Sequence, residues 1–218
     1  MTGPIGAAAL VLIAYLIGAI PFGILAGRLA GGVDLRQHGS QRTGATNALR
    51  TLGPRWAAAV LSLDLAKGIA AVLLTRALYQ AGPPGSPEWV AAAAGAAAVV
   101  GHNWSAFIGF SGGRGVATSA GGLLVLSPLT LLILAPILAM VVWLTRFVSL
   151  GSLTAAVAGP LITAMLAAVG AVGWAAAAYT LVAGILIVIA HRDNVARLRA
   201  GTERRLGERA MVATDDGR

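Results

Sequence analysis

Long apolar runs separated by short polar segments cover most of the chain. One run, 115–144, is too long for a single span and is interrupted by Ser127-Pro128 and Pro136. Because proline breaks a helix interior, we expect two helices there that turn near Ser127-Pro128. About 20 apolar residues are enough to cross a bilayer, and the other runs of that length are 4–27, 55–78, 89–110, 150–169 and 171–190. The pattern predicts an all-α, polytopic membrane helix bundle with seven transmembrane helices.

Arginines mark alternate connections between these runs. Arg28, Arg36, Arg42, Arg50 and Arg55 follow the first run, Arg114 follows the third, and Arg146 follows the thirty-residue run. Seven more arginines follow the last run. Seven spans place all of these arginines on one face of the membrane, whereas five spans would put Arg146 on the opposite face. Arg76 is the exception, because it falls on the opposite face even with seven spans. Since positive loops stay in the cytoplasm, the predicted topology has the N-terminus outside and the C-terminus inside.

Composition supports a membrane protein and excludes several other classes. Hydrophobic residues make up 57% of the 218 and charged residues 11%, and there is no cysteine to act as a nucleophile or form a disulfide. The net charge of +8 is explained by the loop arginines, so we expect no nucleic-acid partner. The first basic residue follows the first apolar run, which argues against a cleaved signal peptide. We predict one domain, 1–209, and a disordered tail, 210–218.

Two glycine-rich loops have the groups that bind phosphate. In HGSQRTGATN (38–47) the glycines let backbone N–H groups converge, and the polar side chains in and after it are Ser40, Arg42, Thr43, Thr46, Asn47 and Arg50. The alternative is a surface turn whose Asn or Thr caps the next helix. In the second loop Gly112, Gly113 and Gly115 surround Arg114 at a predicted helix start, which favours an anion.

Other polar residues lie in or at the ends of the apolar runs. Asp64 and Lys67 share a helical face inside one run; such charges normally face a polar cavity, although they could form an ion pair that only fixes packing. His191 and Asn194 share a face where the last run ends, and His191 could orient a hydroxyl or act as a base. His102 is predicted to pack at the membrane interface. The tail arginines could anchor the chain at anionic headgroups.

Several familiar sites are absent or coincidental. Residues 109–113 fit G-x-S-x-G, but that motif needs a strand-to-helix turn, which is not expected after a membrane span. The Gly112–Gly115 segment lacks Walker spacing, no HxxxxD pattern occurs, and no set of His, Asp and Glu has metal-ligand spacing. We expect no cofactor and no metal.

Taken together, the motifs resemble those of the bacterial acyl-phosphate:glycerol-3-phosphate acyltransferases, an integral membrane family. The family's GSGNxGATN is matched by GSQRTGATN, its LDxxKG by residues 63–68, its GHxxxxF by 101–107 and its GGKGVAT by GGRGVAT. The likeness covers nearly the whole chain. It implies that acyl phosphate and glycerol 3-phosphate meet at the cytoplasmic face of the bacterial inner membrane and give 1-acyl-glycerol 3-phosphate and phosphate. Membrane lipids and a soluble acyl-phosphate-forming enzyme are the implied partners.

The resemblance also implies roles for individual residues. Catalytic positions are Ser40, His191 and Asn194; substrate and phosphate positions are Gly39, Thr46, Asn47, Arg50, Lys67, Gly113, Arg114 and Ser149. Three residues depart from the family pattern. Gln41 and Arg42 replace Gly-Asn, which removes a permissive backbone position and adds a cation. Arg114 replaces a lysine and can bind phosphate bidentately but cannot exchange protons near neutral pH, so we expect a purely electrostatic role.

Two other functions fit parts of the pattern. A transporter for phosphate or an organophosphate anion would use Asp64 and Lys67 along its path, but the chain shows no pair of matching interrupted halves. A scaffold subunit would leave the polar loops unexplained.

Overall fold

The computed structural model describes residues 2–80, 82 and 86–208. The predicted tail, 210–218, lies outside these residues. The described chain is helical, with short 3₁₀ turns at Leu35–Gln37 and Ala106–Ile108, so the all-α prediction is confirmed. The α-helices are α1 (Gly3–Ala19), α2 (Phe22–Leu29), α3 (Ala45–Thr51), α4 (Pro54–Leu78), α5 (Ser86–Asn103), α6 (Val116–Leu126), α7 (Pro128–Thr145), α8 (Val148–Ala168), α9 (Trp174–Ala190) and α10 (Arg192–Arg199).

Four stretches of the described chain are long and apolar enough to cross a bilayer. They are Gly3–Leu29, Pro54–Leu78, Pro128–Thr145 and Val148–Ala168, and α9 with α10, bent by 59°, makes a fifth if the pair counts as one span. Of the other two predicted spans, α6 has only 11 residues, and α5 has polar residues at both ends, Ser86 and Glu88 at one and His102 and Asn103 at the other. The count of seven therefore stays a prediction.

The predicted turn in the thirty-residue run is present where proline places it. α6 ends at Leu126, and α7 begins at Pro128, the first helical position, where its missing N–H costs nothing. The Ser127 hydroxyl accepts a hydrogen bond from the Thr130 N–H at 3.4 Å. The break in the apolar pattern was thus a correct guide to the break in the helix.

Two predicted spans differ from the observed helices. The run 4–27 is broken at Ile20-Pro21, because Pro21 has no N–H to continue the hydrogen-bond ladder of α1. The run 89–110 is helical only to Asn103. Its last apolar residues form a loop in which Gly109 is left-handed, with φ 69°, and the Phe107 and Phe110 side chains are exposed. Aromatic residues at a membrane interface explain why this loop has the composition of a span.

Small residues bring the central helices into close contact. A Cβ added to Gly68 of α4 would lie 2.0 Å from the Thr118 carbonyl oxygen of α6, and one added to Gly121 of α6 would lie 2.0 Å from the Leu65 oxygen. Gly18 of α1 meets Ala98 of α5 in the same way. In a membrane, where apolar burial gives helices little drive to associate, such backbone contact is a principal source of packing.

The outer surface of the bundle is apolar. α7 buries only Thr130 and Leu134, while Leu132 is 71% and Trp143 78% exposed. Soluble proteins rarely expose a continuous apolar surface of this kind. The bundle therefore presents its α7 face to lipid.

Arg76, the exception among the loop arginines, is held at the end of α4. Its guanidinium donates to the Glu88 carboxylate at 2.5 Å and to the Val125 carbonyl oxygen at 2.9 Å. It thus ties together α4, α5 and the C-terminal end of α6, where a cation satisfies a free helix carbonyl.

Candidate active site

The polar loops gather around one cavity of about 440 Å³. Its walls come from the segment 42–50, the first half of α4, the start of α6, the start of α8 and the α9–α10 junction. The residues predicted for the site that line it are Thr46, Asn47, Arg50, Arg114, Ser149, His191 and Asn194. Gly39, Ser40, Lys67 and Gly113, which were also predicted for the site, do not line the cavity.

Asn47 organises the first glycine-rich loop from within. Its side-chain amide donates to the carbonyl oxygens of Leu35, His38 and Arg42 at 2.9, 3.1 and 2.9 Å. Its Oδ1 accepts the Ser40 N–H at 2.9 Å. Only 2% of Asn47 is exposed. The structure therefore uses this side chain to fix the loop conformation and thereby the position of Ser40.

The second loop rests against the end of α5. The Gly113 N–H donates to the His102 carbonyl oxygen at 3.0 Å, and a Cβ on Gly113 would lie 2.0 Å from His102 Nε2. Gly115 has φ 75°, a left-handed conformation that glycine adopts without steric cost. Glycine is needed at 113 for space and at 115 for the turn, and together they direct Arg114 into the cavity.

Arg114 is placed to receive an anion. Its Nε–H is buried without a hydrogen-bond partner among the described residues. Burial and the nearby charges of Arg42 and Arg197 lower the pKa of Arg114 to about 10. It therefore remains a cation at neutral pH, and a bound phosphate would satisfy both its charge and its free donor.

His191 is neutral at physiological pH. Its Nδ1 lies 2.8 Å from the Ile187 carbonyl oxygen, which can only accept, so Nδ1 carries the proton and Nε2 the lone pair. Burial lowers the pKa of His191 to about 4, and the nearby Arg114 adds to this effect. A neutral imidazole of this tautomer accepts a hydrogen bond from a hydroxyl but is a weak base.

Sequence reasoning missed Glu203. Its carboxylate accepts hydrogen bonds from Ser149 Oγ at 2.8 Å, Asn194 Nδ2 at 2.6 Å and Arg197 Nε at 2.8 Å. Burial raises the pKa of Glu203, but these donors outweigh it and the pKa is lowered. The only signal in the sequence was an acid within the arginine-rich GTERRLG. It reaches the site because the segment after α10 folds back, with the Leu206 N–H donating to the Arg146 oxygen at 2.7 Å.

Arg42, which the sequence placed among the polar groups of the first loop without a role of its own, also lines the cavity. Its guanidinium donates to Asp193 Oδ2 at 2.9 Å, which joins the first loop to α10. Its extra positive charge was visible in the sequence, but its direction was not.

Beneath the cavity the intramembrane charges form a buried cluster. Lys67 Nζ lies 2.9 Å from Asp64 Oδ1 and donates to the Ile20 carbonyl oxygen at 3.1 Å, at the break between α1 and α2. His102, predicted to pack at the membrane interface, is packed inside the bundle. It is 6% exposed, and its Nδ1 lies 3.4 Å from Asp64 Oδ1. Asp64 and His102 line the cavity floor, whereas Lys67 stabilises the helix break.

The described residues contain no group of three or more His, Asp or Glu that could hold a metal ion.

Comparisons with known proteins agree with this architecture. A sequence model of the glycerol-3-phosphate acyltransferase family matches residues 8–201. A glycerol-3-phosphate acyltransferase of Synechocystis sp. is 44% identical, over 94% of this chain and 93% of the relative. One from Thermus thermophilus is 47% identical, over 91% of this chain and 94% of the relative.

Solved structures show the same fold. The crystal structure of PlsY (YgiH), an integral membrane glycerol 3-phosphate acyltransferase, in its glycerol 3-phosphate form has a TM-score of 0.81 and 36% identity, covering 92% of this chain and 96% of PlsY. Its lysophosphatidic acid form has a TM-score of 0.79 and 35% identity, covering 93% and 96%. The fold is thus that of an integral membrane protein, and the chain belongs to the glycerol-3-phosphate acyltransferase family.

Proposed function

We propose that the chain transfers a fatty acyl group from acyl phosphate to the 1-hydroxyl of glycerol 3-phosphate. The products are 1-acyl-glycerol 3-phosphate, or lysophosphatidic acid, and inorganic phosphate, in the first step of phospholipid synthesis. The observation that carries the proposal is one cavity lined by Arg42, Arg50 and Arg114 together with the neutral His191. Several cations suit two phosphate-bearing substrates, and a neutral imidazole suits a hydroxyl that must be oriented.

The proposed reaction is a direct acyl transfer. The 1-hydroxyl oxygen attacks the acyl carbonyl carbon, the bond from that carbon to the phosphate oxygen breaks, and phosphate leaves with the bonding electron pair. Acyl phosphate is a mixed anhydride and already activated, so no covalent acyl-enzyme is required. Holding both substrates at attack distance and stabilising the developing oxyanion are the contributions of the protein.

The hydroxyl proton passes to the phosphate of the donor. His191, with a pKa of about 4, is a weaker base than a phosphate whose second pKa is about 6. We assign His191 Nε2 and Asn194 the role of orienting the hydroxyl, and Ser40 a catalytic position in the first loop. Of the predicted substrate and phosphate positions, Thr46, Arg50, Arg114 and Ser149 line the cavity and are the proposed contacts. Gly39, Asn47 and Gly113 are proposed to act by shaping the loops, and Lys67 by holding the break between α1 and α2.

The setting of this reaction is part of the proposal. Seven spans, with the N-terminus outside and the C-terminus in the cytoplasm, place the cavity at the cytoplasmic face of the bacterial inner membrane. Residues 1–209 form one domain. Membrane lipids surround the bundle, and a soluble acyl-phosphate-forming enzyme would meet the arginine-rich cytoplasmic face.

The function is tested with purified protein in detergent. Phosphate release from palmitoyl phosphate is measured with and without glycerol 3-phosphate, and lysophosphatidic acid is identified as the product. We expect release that depends on the acceptor. Replacement of Arg114 by Ala should reduce kcat/KM about 10- to 100-fold, because a charge-assisted hydrogen bond contributes about 1.5–3 kcal/mol, while Arg114→Lys should keep much of it.

A matched control and a contrary result complete the test. Arg199, exposed at the end of α10 and outside the cavity wall, should tolerate replacement by Ala. If folded wild-type protein shows no acceptor-dependent release, the acyltransferase proposal is wrong, and counterflow of labelled phosphate into proteoliposomes would test a transporter instead.

A further inference from the structure

Arg42 occupies a position that the family pattern gives to asparagine, and it lies in the cavity wall. Its partner Asp193 lies on α10, between His191 and Asn194 in sequence, and is not part of that wall. The two side chains are 26% and 46% exposed, so their ion pair is at the edge of the cavity. The guanidinium therefore has the cavity on one side and a solvated carboxylate on the other.

The cavity carries more positive than negative charge. Arg42, Arg50 and Arg114 line it, against two carboxylates that already have partners. Asp64 is paired with Lys67, and Glu203 is hydrogen-bonded to Ser149, Asn194 and Arg197. The positive charge of Arg42 is the largest neighbouring-charge effect that lowers the pKa of Arg114. Arg42 and Arg114 thus repel each other across the same space, and an anion between them would relieve that repulsion.

The bond between Arg42 and Asp193 is easy to exchange for such an anion. Exposed ion pairs contribute little because water and salt screen them. A phosphate dianion in a half-enclosed cavity lined by cations is a stronger partner, and a guanidinium can bind it through two parallel hydrogen bonds.

We propose that Arg42 is a further phosphate-binding residue. Its guanidinium gives up the ion pair with Asp193 and binds the phosphate group of a substrate in this cavity. The inference rests on the proposed function and adds a residue to its binding site. The phosphate can be that of glycerol 3-phosphate or that of the acyl phosphate. The chemistry is the same for both, and kinetics separate them.

The competing explanation is a strut, in which Arg42 only ties the first loop to α10. Two single variants distinguish them. Arg42→Asn removes the cation and should raise the KM for one substrate about tenfold or more, the usual effect of losing one charge-assisted hydrogen bond. Asp193→Asn frees the cation and should leave that KM unchanged or lower it. A strut predicts that both variants raise KM alike.

The charge-swapped double variant Arg42→Asp, Asp193→Arg adds an independent comparison. It restores an ion pair between the loop and α10 but places a carboxylate in the cavity wall. Recovery of wild-type KM would overturn the binding role, whereas a KM at least as high as that of Arg42→Asn would support it.

Arg192 is the matched control. Its Nε lies 3.6 Å from Asp193 Oδ1, but its side chain is 78% exposed, and it does not line the cavity. Arg192→Asn removes the same charge beside the same carboxylate, so it should leave both KM values within about twofold of wild type. A rise equal to that of Arg42→Asn would show a general loss of positive potential and overturn the assignment.

Two series of measurements identify the phosphate. The first series varies glycerol 3-phosphate at saturating palmitoyl phosphate and gives the KM for glycerol 3-phosphate. The second varies palmitoyl phosphate at saturating glycerol 3-phosphate and gives the KM for palmitoyl phosphate. If Arg42→Asn raises only the KM for glycerol 3-phosphate, Arg42 binds the phosphate of the acceptor. If it raises only the KM for palmitoyl phosphate, Arg42 binds the phosphate of the donor. Unchanged KM values for Arg42→Asn, alongside an active wild type, would overturn only this inference, whereas an inactive wild type would overturn the proposed function itself.

Discussion

At the scale of single residues, the first loop depends on two left-handed backbone positions. Gly39 and Gln41 both have φ 57°. Gly39 adopts this conformation freely, whereas in Gln41 the Cβ crowds the following carbonyl oxygen at a cost of about 1–2 kcal/mol. The structure thus explains why glycine suits position 41 in the family pattern, and it shows that this chain tolerates the strain.

Replacing Gln41 by Gly should relieve that strain. Part of the gain is offset because glycine loses more conformational freedom on folding, so we expect a net stabilisation of up to about 1 kcal/mol and a small rise in the thermal midpoint in detergent. Gln41→Val should lower the midpoint instead, because a β-branched side chain is least compatible with positive φ.

The exposed Gln80, outside the positive-φ positions, provides the comparison. Gln80→Gly should not raise the thermal midpoint. A midpoint that falls in Gln41→Gly as well as in Gln41→Val would contradict the strain argument and mean that the glutamine side chain itself holds the loop.

The sequence was informative about which residues carry the chemistry but not about how each one acts. Residue type and loop position pointed to Arg114, His191 and Asn194, which line the cavity. They did not reveal that the Asn47 side chain hydrogen-bonds to the backbone of the loop. A side chain that binds substrate and one that binds backbone can have the same local sequence. Glu203 was missed since its contacts depend on a fold-back that no local pattern encodes.

At the scale of helices, the contact between α4 and α6 sets the geometry of the cavity floor. Gly68 and Gly121 allow the two backbones to touch, and α4 carries Asp64 while α6 begins just after Arg114. A change in their separation would move the floor relative to the cationic wall.

Gly121→Ala should therefore destabilise the protein. Its Cβ would lie 2.0 Å from the Leu65 carbonyl oxygen, which is backbone and cannot rotate away. Overpacking typically costs about 1–3 kcal/mol, so we expect a clearly lower thermal midpoint and reduced activity. Gly173→Ala, where the added Cβ meets nothing within 4 Å, should lower the midpoint much less, by no more than the loss of a glycine N-cap of α9. Equal midpoints for both variants would show that the helices can separate at no cost.

Helices were predicted well in their centres and poorly at their ends. Apolar runs identify the segments that lipid or neighbouring helices must cover, and proline marked the α6–α7 turn correctly. The apolar residues after Asn103 misled the prediction because an interfacial loop and a span end share the same residue types. The break at Ile20-Pro21 was overlooked. In the structure Lys67 Nζ lies 3.1 Å from the Ile20 carbonyl oxygen and donates a hydrogen bond to it.

At the scale of the whole molecule, orientation can be measured cleanly because the chain contains no cysteine. Single cysteines at Gln80 and Ala171 should react with a membrane-impermeant maleimide in intact spheroplasts. A cysteine at Arg192, next to the cavity, should react only after the membrane is opened. The reason is that the proposed seven-span topology has the first two positions outside and the third in the cytoplasm.

The same labelling can contradict the topology. Reaction of the Arg192→Cys variant in intact spheroplasts, or protection of both outer positions until lysis, would require a different span count or an inverted bundle. Activity of each variant provides the control for correct folding.

The cavity wall includes Ala58 and Leu61 of α4, which are exposed on the apolar side of the bundle, and Leu138 of α7. At this edge the polar chamber adjoins the apolar outer surface, so under the proposed function the fatty chain of the donor would lie in the bilayer while its phosphate lies among the arginines. The amount of donor that the enzyme meets is then set by mole fraction among the lipids rather than by molarity in water. Adding inert detergent or lipid at a constant total amount of donor lowers the mole fraction of the donor. The rate of turnover then depends on the composition of the surface.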